Sequence, residues 1–232
     1  MKKNRRLLFA AAAAALIGIL ALSLAGYEAS ESAEAAMARG QTQGCVTAFG
    51  QADSQTALIF YPGGMVDHAA YAPLMEEIAG QGAPCLLVQM PLDLAVLDMN
   101  AAKNIREAYP DVQRWFIGGH SLGGAMAASY AAKHAKDFEG LVLLGAYSTA
   151  DLSGTDMRVL SLYGSQDGVL NRKKYADCLA NYPQRFSEIV IEGGNHAGFG
   201  DYGAQKGDGI ASIPPEEQSR LAAQAIGRLI TE

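Results

Sequence analysis

From residue 44 onward, short apolar runs alternate with amphipathic stretches, and this alternation constrains the fold more than any other feature. Parallel strands need a crossover between them, and a helix supplies it while covering the sheet. The pattern therefore predicts an α/β domain with a mostly parallel central sheet and helices on both faces. Strands are expected over residues 45–49, 57–61, 84–90, 114–118, 141–144, 158–163 and 186–191. Helices are expected over 71–80, 100–109, 122–134, 172–181 and 216–230. Gly80, Pro91 and Pro110 punctuate these elements where a turn or stop is needed. The longest irregular stretch is the Gly-rich 193–215, and loops of that length in compact domains are commonly functional. A chain of 232 residues suits one such domain.

Ahead of that body, residues 7–26 form an apolar run without a charge, preceded by Lys2, Lys3, Arg5 and Arg6. Twenty residues at helical rise cover about 30 Å, the hydrocarbon thickness of a bilayer. With cations before the run and Glu28, Glu31 and Glu34 after it, the body is expected outside the cytoplasm. Residues 1–26 thus read as a membrane anchor, giving a cell-membrane protein with an extracytoplasmic domain. The alternative is a signal segment cut near Ser23-Leu24-Ala25 or Ala33-Glu34-Ala35, giving a secreted protein. Residues 27–43, rich in Ala and Glu, are expected to form a short helix or a helical stalk or linker, and 44–232 the catalytic domain.

Without the four N-terminal cations, 14 Lys+Arg face 24 Asp+Glu, so the body carries a net charge of −10. An acidic body repels phosphate backbones, which argues against a nucleic-acid partner. Cys45, Cys85 and Cys178 form no metal-binding spacing, and Cys85, inside an apolar run, reads as a small core hydrophobe. The sequence calls for no metal or cofactor.

Gly119-His120-Ser121-Leu122-Gly123 lies between an apolar strand and an Ala-rich helix. A helix-capping serine would explain the motif alone. The strand–turn–helix context points instead to a nucleophile elbow, a strained turn that holds a serine hydroxyl outward and needs small residues on either side. The Leu122 N–H, at the start of the helix, can then face a developing oxyanion. After the earlier strand, Pro62-Gly63-Gly64-Met65 sits where the second oxyanion donor is expected. The N–H of Met65 is favoured there, with Gly64 second.

The partners of Ser121 should follow in the order acid, then histidine. Asp167 ends the 158–163 strand in Gly164-Ser165-Gln166-Asp167-Gly168, and His196 follows the last strand in Gly193-Gly194-Asn195-His196. Both fall at strand C-termini, where open α/β sheets place their crevice. Asp151 and Asp156 are alternatives for the acid, whereas Asp201 and Asp208 come after the histidine. His120 adjoins the serine and points the other way, and His134 reads as solvated. Ser121 as nucleophile, His196 as base and Asp167 as the group orienting it would perform acyl transfer. His68, Tyr147 and Phe199 are expected to line the substrate pocket.

Together with Tyr61-Pro62-Gly63-Gly64 and the stretch from Gly193 to Gly203, these motifs resemble the bacterial alpha/beta hydrolase fold-5 family, similar in outline to dienelactone hydrolases and small carboxylesterases. The resemblance covers nearly all of residues 44–232. It implies an α/β-hydrolase fold, a triad of Ser121, Asp167 and His196, and backbone donors near Gly64, Met65 and Leu122. Dienelactone hydrolases proper use a cysteine where this chain has Ser121. Thirteen residues between Leu144 and Arg158 leave no room for a large cap domain, so the site should be open. The expected activity is hydrolysis of a small acyl ester. An acyltransferase or peptidase with the same triad, or a non-catalytic membrane-tethered binding protein, are the other readings.

Overall fold

The computed structural model describes residues 26–50, 55–82 and 84–231. The expected anchor lies, but for Gly26, outside the described residues. Among those residues no helix is long and apolar enough to cross a membrane.

Eight strands form one sheet in the order β1-β2-β4-β3-β5-β6-β7-β8. They are β1 (Gln41–Gln43), β2 (Val46–Phe49), β3 (Thr56–Tyr61), β4 (Cys85–Val88), β5 (Arg114–His120), β6 (Gly140–Leu144), β7 (Arg158–Gly164) and β8 (Phe186–Ile191). From β4 to β8 all pairings are parallel, whereas β1–β2 and β2–β4 are antiparallel. The expectation of a mostly parallel sheet holds. β1 was not foreseen: its three residues, Gln-Thr-Gln, are exposed and carry no apolar alternation. It forms by hairpin pairing to β2 across Gly44-Cys45.

The period of two along each strand sorts side chains to the two faces. Leu58, Phe60, Val142 and Leu144 join one core with the helices Ala72–Gly80 (α2) and Pro215–Thr231 (α6). Ala57, Ile59, Tyr61, Leu141 and Leu143 join the other, with Ala101–Ala108 (α3) and Ser121–Lys133 (α4). The two short helices Glu31–Met37 (α1) and Arg172–Asp177 (α5) complete the set. The alanines of α4, including Ala127, Ala128 and Ala131, are buried against the sheet, and their small size brings the helix close to it. Between β6 and β7 no helix is inserted, so no cap stands there. Cys85 is sealed in β4 as a core residue.

Within residues 27–43, the short helix α1 packs on the domain. Ser30 caps α1 by accepting the Ala33 N–H at 3.1 Å, and Ala33 and Ala36 are buried. The Ser30 and Ser32 hydroxyls both reach Asp201 Oδ2. Tyr27 bridges Val66, and its ring packs 5.5 Å from that of Tyr202. Burial of the alanine face against the domain outweighs the solvation that a separate helix would keep.

Candidate active site

β5 ends at His120 and α4 begins at once on Ser121, whose φ is +51°. A non-glycine residue in this region is strained, and such strain is held only where surrounding contacts enforce it. The turn is enforced by close approach to β3. A Cβ on Gly123 would collide with the carbonyl oxygens of Tyr61 and Pro62, so glycine is required there. Ser121 itself is half-buried.

Loops after β7 and β8 carry the acid and the imidazole. His196 Nδ1 lies 2.8 Å from Asp167 Oδ2, and both side chains are almost wholly enclosed. Asp167 Oδ1 accepts the N–H groups of Val169 at 2.9 Å and Leu170 at 2.8 Å, which fixes the carboxylate in rotation. Gly145, just past β6, makes room for the pair. At φ +53°, a Cβ there would stand 2.8 Å from His196 Nδ1 and 3.2 Å from Asp167 Oδ2. His196 Nε2 is buried with no hydrogen-bond partner among the described residues. Its ring packs 4.4 Å, centroid to centroid, from the ring of His120, the residue before Ser121.

His120 is therefore not a bystander. Tyr71 Oη accepts the Gly63 N–H at 3.0 Å and shares a hydrogen bond of 2.7 Å with His120 Nδ1. Burial, reinforced by the neighbouring His196, holds His120 well below the ordinary imidazole range. The ring is thus a neutral wall behind His196.

The oxyanion expectation needs a correction. The Met65 N–H donates to the Asp93 carbonyl at 2.8 Å and is not free for a ligand. The N–H groups of Gly64 and Leu122 have no such partner among the described residues. The two residues also adjoin: a Cβ on Gly64 would lie 2.8 Å from Leu122 Cδ2. Phe199, expected in the pocket, is fully buried in the core, with its ring 5.7 Å from His120. It packs behind the site rather than on its surface. His68 pairs with Asp67 at 3.2 Å and faces a polar cleft shared with Tyr27, Glu28 and Asp93, rather than the triad residues. Tyr147 is half-buried against Tyr163, Leu170 and Tyr175, at the rim beyond β6.

Two positioning groups escaped the sequence reading. Asp208 Oδ1 accepts the N–H groups of Gly168 at 3.0 Å, His196 at 3.1 Å and Gly209 at 2.8 Å. Its Oδ2 accepts the Ala197 N–H at 2.8 Å. One carboxylate thereby ties the acid loop to the histidine loop. Gln218, fully buried on α6, accepts the Asn195 N–H at 3.0 Å and donates to the Asn195 carbonyl at 2.7 Å. Gly207-Asp208-Gly209 is the one local signal that could have flagged the first.

A hydroxyl at a strained strand–helix turn, with an enclosed imidazole–carboxylate pair at the same sheet edge, defines the architecture of an alpha/beta hydrolase. Residues 57–220 match the model of the alpha/beta hydrolase family, and the chain belongs to that family. It is a hydrolase by fold and family. Solved structures share the fold. An esterase, Est1E from Butyrivibrio proteoclasticus with ferulic acid bound, is 12% identical, with 82% of this chain and 98% of that one covered at a TM-score of 0.57. The Paleococcus ferrophilus monoacylglycerol lipase is 15% identical over 79% and 98%, at 0.60. A thermophilic esterase from Thermogutta terrifontis is 12% identical over 80% and 92%, at 0.61. No curated protein matches the sequence.

Proposed function

We propose that the protein is a serine carboxylic ester hydrolase using Ser121, His196 and Asp167. The observation that carries this is the enclosed His196–Asp167 pair, 2.8 Å apart, with Nε2 of the same imidazole unpartnered beside the Ser121 turn. An imidazole so held has one nitrogen fixed as donor and the other available as base. His196 Nε2 takes the proton of Ser121 as its Oγ attacks the ester carbonyl. The oxyanion is met by the N–H groups of Gly64 and Leu122. The alcohol leaves with the proton returned by His196, and water then releases the acid from the acyl-enzyme by the same route. The names of the structural neighbours, two esterases and a lipase, agree with this chemistry.

The test is release of nitrophenol from nitrophenyl butyrate together with covalent labelling by a fluorophosphonate probe. Both are expected from the unsubstituted chain and neither from Ser121→Ala. Hydrolysis that survives in Ser121→Ala would overturn the proposal.

A further inference from the structure

We infer that the rim of this site docks on a bilayer surface and that its substrate is an ester carried in that bilayer, an inference that rests on the ester-hydrolase reading above. Seven large apolar side chains are exposed among the described residues. Five of them stand in loops that follow strand C-termini, the edge where Ser121, Asp167 and His196 lie. Leu92 (83% exposed), Val96 and Leu97 follow β4, whereas Val169 follows β7 and Ile210 (93% exposed) lies in the long loop after β8. Scattered apolar surface residues are ordinary, but five of them gathered in the loops at one edge of the sheet are not. In the sheet, β3, β5 and β6 stand between β4 and β7. At ordinary strand spacing β4 and β7, which lead into the two apolar lips, are therefore about 19 Å apart, with β5 and Ser121 between them.

The lips are built rather than loose. Leu92 and Asp93 are consecutive non-glycine residues at φ +51° and +53°, a conformation that needs external support. The Met65 N–H supplies some of it by bonding to the Asp93 carbonyl. On the other side, Asp208 holds Gly209, the neighbour of Ile210, while Asn195 donates to the Gly209 carbonyl at 2.9 Å.

The sequence indicates what covers this rim. The uncharged run 7–26 ends at Gly26, and the next residue, Tyr27, donates its N–H to the Met65 carbonyl at 2.7 Å. The chain thus leaves its apolar run directly at the oxyanion loop, with no spacer. A bilayer holding that run meets the lips on either side of Ser121. The body's net charge of −10 makes the contact apolar insertion rather than attraction to anionic lipid. Water then cleaves the acyl C–O bond of a lipid ester, giving a carboxylic acid and an alcohol.

The test uses the full chain reconstituted in phosphatidylcholine vesicles. Leu92→Trp and Ile210→Trp place a reporter on each lip at largely exposed positions. The native Trp115, buried near the opposite end of β5, is the internal reference. Brominated phosphatidylcholine is expected to reduce the emission added at 92 and 210 at least twofold and to leave Trp115 unchanged. In a second arm, Leu92→Ser/Ile210→Ser should lower hydrolysis of vesicle-borne dioleoylglycerol at least tenfold while soluble nitrophenyl butyrate is cleaved within twofold of the unsubstituted rate. Absence of bromine quenching, or an equal loss on both esters, overturns the inference. Shielding of 92 and 210 by a second copy in detergent, without bromine quenching, overturns it too. If the unsubstituted chain cleaves neither ester, the hydrolase reading fails, and the quenching arm still decides docking.

Discussion

Asp208 Oδ1 accepts the backbone N–H of His196 at 3.1 Å, so the imidazole is held from both ends: Asp167 at its ring and Asp208 at its main chain. The same carboxylate holds Gly168, next to Asp167, which makes the spacing of the two loops depend on one residue. Hydrogen bonds to an ionised acceptor contribute about 1.5–3 kcal/mol each. Asp208→Asn keeps one carbonyl oxygen but turns an amide toward a backbone N–H. We expect kcat on nitrophenyl butyrate to fall about tenfold or more with KM nearly unchanged, and fluorophosphonate labelling to slow in proportion. Unaltered labelling kinetics would show that the two loops keep their spacing without it.

Asp167→Asn tests the direction of the proton on His196. The asparagine oxygen can still accept from Val169 and Leu170, which leaves its NH₂ facing Nδ1. Nδ1 must then accept, the ring proton moves to Nε2, and the base is lost. Turnover should drop about 10⁴-fold with little change in melting temperature. Steady-state kinetics with a thermal melt distinguish this from unfolding. A drop below tenfold would assign the acid to another residue.

Gly123→Ala should damage the fold before the chemistry. Its new methyl would overlap two carbonyl oxygens of β3 and its following turn, both backbone and unable to swing aside. Overpacking of this kind costs about 1–3 kcal/mol. Denaturant titration should show the midpoint shift, and an unchanged midpoint would mean the β3–α4 contact is looser than the structure has it.

His120 gives the fold a pH dependence. In the unfolded chain an imidazole gains its proton near pH 6.5. In the folded chain burial keeps His120 neutral to well below that. Below about pH 6.5 the unfolded state binds the extra proton, so stability is complete above that pH and falls as pH drops, by up to about 1.4 kcal/mol per pH unit. His120→Gln, whose amide can still hydrogen-bond Tyr71, should flatten the melting temperature between pH 7 and pH 5. A slope equal to that of the unsubstituted protein would exclude His120 as its source.

The sequence by itself determined the layered α/β architecture, nearly all strand positions, and that Ser121, Asp167 and His196 follow strand C-termini. These are local signals. Short apolar runs, glycines flanking a serine and polar turns at strand ends follow from neighbouring residues along the chain. Tertiary structure alone decided the rest. Met65 lost its N–H to Asp93, twenty-eight residues on, and Phe199 went into the core under His120. Asp208 and Gln218, dismissed or unnoticed in the sequence, became the clamps on the histidine loop. Within residues 27–43, expected as a short helix or stalk, Tyr27 and Ser30 joined Val66 and Asp201. Each is a hydrogen bond or a packing contact between segments far apart in the chain. No residue's own neighbours carry a trace of such a partner, because the partner is fixed only when the whole sheet and its loops are in place.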